Sequence, residues 1–304
     1  MLTYILPVLA IVLLGAWLRR MRRVPEGLFP AMEWFSFYIA FPALLFVGAA
    51  RLKLSAADAA DLALAALLPT LLLTGGVALG LRFAPRLPDP SRSSIMQGAV
   101  RPSSYFGLAV AALLFPPETT ALVMLALAIC LPAVNIIAVV ALAWWGEGDA
   151  SARGIARTLA RNPIILATLA GLLVNLAGLA LPAALAATLD ILGDAALALG
   201  LLCVGGGLQF RRDDVRPLRL GATSALKLLA LPLLAVLVCR ALDASAPVTT
   251  AACFYAALPT ASNAYIMARQ MGGDAPLMAA LVTWQTLLAA ATVPLALQLP
   301  AWLA

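Results

Sequence analysis

Histidine is absent from this 304-residue chain, and charged residues make up only 11% of it. A soluble domain of this length carries roughly a quarter charged residues. Losing histidine removes the commonest metal ligand and general base. Only four cysteines are present, Cys130, Cys203, Cys239 and Cys253. All four fall inside apolar runs, where thiols behave as small apolar groups, and neither a disulfide framework nor a metal-ligand spacing emerges. A phosphate-cradling glycine loop is missing, which excludes direct drive by ATP. So are aspartate-rich metal motifs and the nucleophile elbow that a hydrolase needs. The chain is therefore expected to be no enzyme and to hold no cofactor. Its net charge of +6 does not call for nucleic acid, because arginine accumulates in inner loops of membrane proteins.

What is present is hydrophobic sequence, 63% of all residues. It comes in blocks of about 20, the length that crosses a bilayer core. The first block, Leu2 to Leu18, has no basic region before it and no small-residue cleavage site after it, so it reads as a retained span rather than a signal peptide. Apolar runs between charged or turn-rich breaks predict ten helices, near 2–18, 30–49, 60–82, 94–115, 119–145, 162–180, 186–208, 218–241, 247–270 and 275–300. If the N-terminus lies outside, fifteen of the twenty basic residues fall in inner segments. These are Arg19, Arg20, Arg22, Arg23, Arg82, Arg86, Arg92, Arg153, Arg157, Arg161, Arg211, Arg212, Arg216, Arg219 and Arg269. Outside remain Arg51, Lys53 and Arg240, while Arg101 and Lys227 lie within spans. The expected location is a cell (inner) membrane, crossed many times, with both termini periplasmic or extracellular.

The polar stretch from Trp145 to Arg153 divides the spans into five and five. An odd number per half inverts the second half, giving one transporter domain over 1–304 with inverted repeats at 1–146 and 157–304. Weak self-similarity at an offset of about 157 accompanies this division. Pro102 falls on Pro259, Glu33 on Asp190, and Pro7 within a residue of the match for Pro163.

The paired prolines carry the chemistry. Proline has no N–H and clashes with the carbonyl four residues back, so Pro102 frees the Gly98 carbonyl and Pro259 that of Tyr255. Each is followed by residues that cap helices: Ser103 and Ser104 in Arg101-Pro-Ser-Ser-Tyr105, then Thr260, Ser262 and Asn263. Interrupted helices survive at membrane depth only where they line a cavity or pack against protein. Restarted half-helices aim N–H groups and partial positive charge into the gap, a setting that suits a carboxylate. The plain alternative for each break is an ordinary kink. Arg101 is a charge inside a span, where cost makes a functional role the default. Lys227, about nine residues into its span, reads as a structural pair or a gating charge. Asn135 follows Pro132 in span five, and Gln285, with Thr283 and Thr292, offers a counterpart in span ten. Glu33 and Asp190 are placed close to the outer ends of spans two and seven, with Asp194 one turn deeper. The triple glycine Gly205–Gly207 reads as close packing or a helix stop.

These residues resemble a known group. Leu258-Pro-Thr-Ala-Ser-Asn-Ala-Tyr-Ile-Met-Ala-Arg-Gln-Met-Gly-Gly-Asp274 is similar to the ninth-span signature of the auxin efflux carrier family of membrane transporters. Arg101-Pro-Ser-Ser-Tyr-Phe-Gly-Leu108 resembles its fourth-span motif, and Arg161-Asn-Pro-Ile-Ile165 its start of span six. Ser103 stands where that motif commonly has asparagine, and span seven lacks a proline often found near Leu197 to Leu199.

The resemblance implies an all-α membrane protein of ten helices in two inverted five-helix repeats, with broken helices 4 and 9 crossing as in bile-acid symporters and sodium–proton antiporters. Spans 1, 2, 6 and 7 would form a scaffold that can dimerise, and the rest a mobile core. Bacterial members are associated with malonate, malate and related acids, plant members with auxin. The expected activity is elevator-type transport of a small organic anion. Arg101, Pro102, Ser103, Ser104, Tyr105, Asn135, Pro259, Thr260, Ser262, Asn263 and Gln285 are the candidate contacts. The expected partners are that acid and membrane lipid. Two other readings stay open: sodium- or proton-coupled symport of an amphipathic or neutral solute, and a non-transporting membrane sensor.

Overall fold

The computed structural model describes residues 2–21, 23–51, 56–145, 163–208 and 216–303. The polar divider after Trp145 lies outside them, as do Arg22, Lys53, Arg153, Arg157, Arg161, Asn162, Arg211 and Arg212. The described residues are helical almost throughout. The helices are α1 (Leu2–Arg20), α2 (Leu28–Ala50), α3 (Ala56–Arg82), α4 (Asp89–Val100), α5 (Ser104–Leu114) and α6 (Pro117–Trp145). They continue with α7 (Pro163–Leu176), α8 (Ala183–Gly206), α9 (Pro217–Ala241), α10 (Ala246–Ala257), α11 (Asn263–Gln270), α12 (Ala275–Ala296) and α13 (Leu299–Trp302).

Six of the described helices or helical stretches are long and apolar enough to cross a bilayer: α2, α3, α6, α8, α9 and α12–α13. Two shorter ones, α5 and α7, are equally apolar. Large side chains face outward from the bundle, among them Leu64, Leu68, Leu71 and Leu72 on α3 and Leu166, Leu169 and Leu173 on α7. Water would penalise that surface, whereas hydrocarbon does not. The chain is an all-α membrane protein.

Proline shapes several helices without ending them. In α2 the five residues Ser36–Ala40 widen into a π-turn directly before Phe41-Pro42, and in α9 Leu226–Ala230 do so before Leu231-Pro232. The proline ring crowds the carbonyl one turn back, and a wider turn relieves that crowding. In α3, beside Pro69, the Thr70 hydroxyl donates to the Ala66 carbonyl at 2.8 Å. Hydroxyls returned to the backbone are one way a helix keeps proline inside lipid.

Packing gathers the helices into two groups. α1 runs along α8 and α2 along α7, with α8 also against α2. Opposite them, α10 contacts α3, α6, α9 and α12, and α4 lies against α6. Tight crossings in the first group depend on glycine. A side-chain carbon on Gly205 would run into the Val12 carbonyl, one on Gly15 into that of Leu202, and one on Gly171 into that of Phe46. Without apolar–water contrast to drive association, close van der Waals approach is what holds membrane helices together. The glycine triplet thus packs at Gly205, while α8 stops at Gly206.

Two expectations need correction. α7 ends at Leu176 rather than near 180, because Gly178 takes a positive φ of 64° and the chain folds back through a helix-stop turn. Glu33 and Asp190 do not share one end. Asp190 pairs with Arg51 at the C-terminal end of α2, while Glu33 lies near its start, beyond Phe29, whose ring is covered by Arg19. The helix direction, which the span assignment already implied, separates the two carboxylates.

Substituting Gly205 by valine should weaken the α1–α8 crossing, by about 1–3 kcal/mol for an overpacked site. Gly221 faces open space, so Gly221→Val serves as the control. Thermal denaturation in detergent should show a lower midpoint for the first variant alone. Equal midpoints would contradict the packing argument.

Candidate functional site

Two interruptions meet inside the bundle. α4 ends at Val100 and α5 starts at Ser104. α10 ends at Ala257 and α11 starts at Asn263. Between them, Pro102 and Thr260 form an isolated antiparallel bridge, and the Ser103 N–H donates to the Pro259 carbonyl at 2.7 Å. Unwound backbone this deep must find partners in protein, and here each break uses the other.

The carbonyls that the prolines release are accounted for. Gly98 O accepts from Gln285 Nε2 at 3.1 Å and lies 2.9 Å from the Thr260 hydroxyl. That hydroxyl is also 2.7 Å from Gln285 Oε1, which accepts the Thr260 N–H at 3.0 Å. The one hydroxyl proton serves either acceptor. Tyr255 O accepts the Leu258 N–H in a tightened last turn. Lys227 is fully buried, and its Nζ lies 3.3 Å from the Val100 carbonyl. A cation at that point complements the negative end of α4.

In front of this crossing is a cavity of about 240 Å³. Its wall includes Arg101, Pro102, Ser103, Ser104 and Tyr105 from the first break, Ser262 and Asn263 from the second, and Asn135 from α6. Arg101 is its one charged lining residue among the described residues. The guanidinium donates through Nη2 to Asn135 Oδ1 at 3.0 Å, and Nη1 sits 2.7 Å from Met267 Sδ. Guanidinium has five donors, and no carboxylate among the described residues pairs with it. Ser103 and Ser262 occupy the cap positions of α5 and α11, but neither side chain makes a capping bond. The first bond of α5 runs from Gly107 N–H to Ser103 O, so the N–H groups before it have no partner within the helix. Both helices begin at the cavity wall.

Pro259, Thr260 and Gln285 stand behind that wall and hold the crossing closed. Thr283 and Thr292 donate to carbonyls of their own helix, Ala279 and Leu288. Phe37, Leu131, Val139, Ile164, Ala261 and Met267 also line the cavity, none of which sequence reasoning selected. The proline two turns after Phe37's neighbour Ser36 was the available signal, since it opens the π-turn that sets Phe37 in place. A larger apolar groove of about 410 Å³ lies between α9 and α12, among outward-facing Leu229, Trp284 and Leu288. It has no charged lining and sits apart from the breaks.

Residues 150–297 match the family model described as "Membrane transport protein". The chain is also 28% identical over 297 residues to a protein of Rhizobium meliloti (strain 1021) described as "Putative malonate transporter", covering 95% of this chain and 92% of that one. Both similarities are to membrane transport proteins, in line with the resemblance to the auxin efflux carrier family. These matches point to a transport protein rather than an enzyme, embedded in the membrane by several helices. The second break, with Pro259, Thr260, Ser262 and Asn263, falls within the matched segment.

Replacing Thr260 by valine removes the hydroxyl shared between Gly98 and Gln285. The expected cost is about 1–3 kcal/mol for leaving buried polar atoms unpaired, read as a lower thermal midpoint. Thr260→Ser should retain most of the stability. A valine variant as stable as the parent would contradict this account of the crossing.

Proposed function

We propose that this transporter carries a small organic anion, a mono- or dicarboxylate such as malonate or malate or an auxin-like acid, by elevator-type alternating access. The observation that carries the reading is the Arg101 guanidinium, buried in the crossover cavity with only neutral acceptors, beside the starts of α5 and α11. Positive helix ends and a charged fork favour a carboxylate, and charge-assisted bonds are the strong ones. The cavity volume of about 240 Å³ lies below the range of about 300–1,000 Å³ usual for drug-sized ligands. A compact acid matches that size better than a large amphipathic solute. The name of the Rhizobium meliloti relative points the same way.

In this reading α4–α5 and α10–α11 are each one broken span, and the chain comprises ten spans in two inverted repeats, 1–146 and 157–304. The packing of α1, α2, α7 and α8 as one group supports a scaffold against which the other helices move. The same group would supply a homodimer interface. Both termini lie on the outer side of the cell membrane, as the arginine distribution favours. Ser103, Ser104, Ser262 and Asn263 offer hydrogen bonds to the substrate, Arg101 its counter-charge. Pro102 and Pro259 keep the backbone open, with Tyr105 and Asn135 bounding the site. Thr260 and Gln285 act from behind the wall. Arg101 supplies positive charge at the α4 break, which offsets part of an anion's cost in lipid.

Asn263→Ala should abolish malonate uptake into proteoliposomes while the protein still elutes as a folded species. Arg101→Gln should lower malonate affinity at least about tenfold, the scale of one charge-assisted hydrogen bond. Arg101→Lys should restore little of it, since lysine lacks the planar fork. Thermal-shift titration with organic acids reads the affinity directly. Normal uptake by Asn263→Ala, or unchanged affinity in Arg101→Gln, would sink the assignment.

A further inference from the structure

A second cavity, of about 290 Å³, lies along the same helices as the first. Its wall includes Gly48 and Arg51 of α2, Met124 and Glu118 of α6, and Asp190 and Asp194 of α8. α2 contributes Phe37 to the crossover cavity and Gly48 to this one, and α6 contributes Asn135 and Met124 respectively. Each pair is eleven residues apart, roughly 16 Å along a helix axis. Two walls with the same offset put the cavities one beyond the other along these helices.

What lies between them is aromatic. Phe41 of α2 is fully buried and stacks on Tyr105 of α5, with ring centroids 4.5 Å apart and an interplanar angle of 5°. Tyr105 lines the crossover cavity, while Leu44 and Gly48, which follow Phe41 at helical spacing, line the second. The stack rests on bare backbone of α8. A side-chain carbon at Gly200 would lie 2.8 Å from Phe41 Cζ and 3.3 Å from Tyr105 Cβ. Three helices close the passage at this one level.

We infer that the Phe41–Tyr105 stack on Gly200 is an internal gate between two cavities of a single route, an inference that rests on the transport reading above. Two further observations bear on it. The π-turn Ser36–Ala40 ends directly before Phe41, and a loosened ladder allows side chains after it to be re-aimed. The Ser36 hydroxyl inside that turn is buried without a partner among the described residues. Tyr105 belongs to the broken crossing helix, whereas Phe41 and Gly200 belong to the opposite packing group. Displacement of α5 against α2 and α8 separates the two rings and joins the cavities. Arg51 and Asp190, paired at 3.0 and 2.9 Å, bridge α2 to α8 within one group, so that motion leaves the far rim intact.

The test uses Ser104→Cys, a half-buried wall position of the crossover cavity, as a reporter for a membrane-impermeant thiol reagent. The four native thiols are buried, and the parent protein sets the baseline. With Phe41 intact and no malonate present, the initial rate of labelling should be far higher from one face than from the other, comparing right-side-out with inside-out vesicles. Adding Phe41→Ala should raise labelling from the second face at least tenfold. Phe41→Leu, which keeps an apolar plug and guards against misfolding, should give a smaller rise in protein of parental elution volume. Labelling as one-sided in both folded variants as with Phe41 intact overturns the gate, and so do equal initial rates from the two faces with Phe41 intact and no malonate present. Labelling needs no turnover. With malonate uptake measured on the parent protein, Ser104 in place, a labelling switch without uptake leaves the gate standing and removes the anion reading, whereas uptake without a switch removes the gate alone.

Discussion

Backbone polar groups cannot be left bare in hydrocarbon, and the crossing of Pro102 with Thr260 is where this chain meets that constraint. Each break exposes N–H and C=O groups that no water satisfies. The Ser103 N–H finds the Pro259 carbonyl, and the Gly98 carbonyl finds Thr260 and Gln285. The two interruptions are therefore mutually dependent: either one alone would leave orphaned groups costing several kcal/mol. Once they are joined, the half-helices must start and stop at the same depth. That geometry delivers two positive helix ends and a buried arginine to one cavity.

The surroundings follow from the crossing. Lys227 reaches the carbonyl end of α4, where its amine donates to the Val100 carbonyl that the break leaves exposed. Thr260 and Gln285 are committed to the backbone and leave the cavity wall to Ser103, Ser104, Ser262 and Asn263. The division of labour is between residues that hold the break shut and residues that face the gap. The glycine-dependent contacts of α1 with α8 and of α2 with α7 hold the first group of helices tightly together.

Much of the fold was legible because lipid imposes a coarse rule. Apolar runs of span length matched helices to within a few residues, and Pro102 and Pro259 both stand where helices stop. Several candidate wall residues were legible for a related reason, since small polar residues after a proline at membrane depth must either hold freed backbone or face a cavity. Partner choice was not legible. That Thr260 bonds to Gln285 rather than facing the cavity depends on how α10 and α12 pack, twenty-five residues apart. Phe37 and Phe41 read as ordinary apolar positions. Only the π-turn forced by Pro42, and the missing side chain at Gly200, give them their place. The stop of α7 turned on the positive φ of Gly178, which a hydropathy run cannot register.

The central claim is that two broken helices converge to make one site for an anion. It is tested most directly by an experimental structure of the purified protein in lipid with malonate added. The account predicts density for the acid between Arg101, Ser103–Ser104 and Ser262–Asn263, with Pro102 and Thr260 still bridged behind it. Malonate bound elsewhere with that cavity empty, or fourth and ninth spans running as unbroken helices, would contradict it.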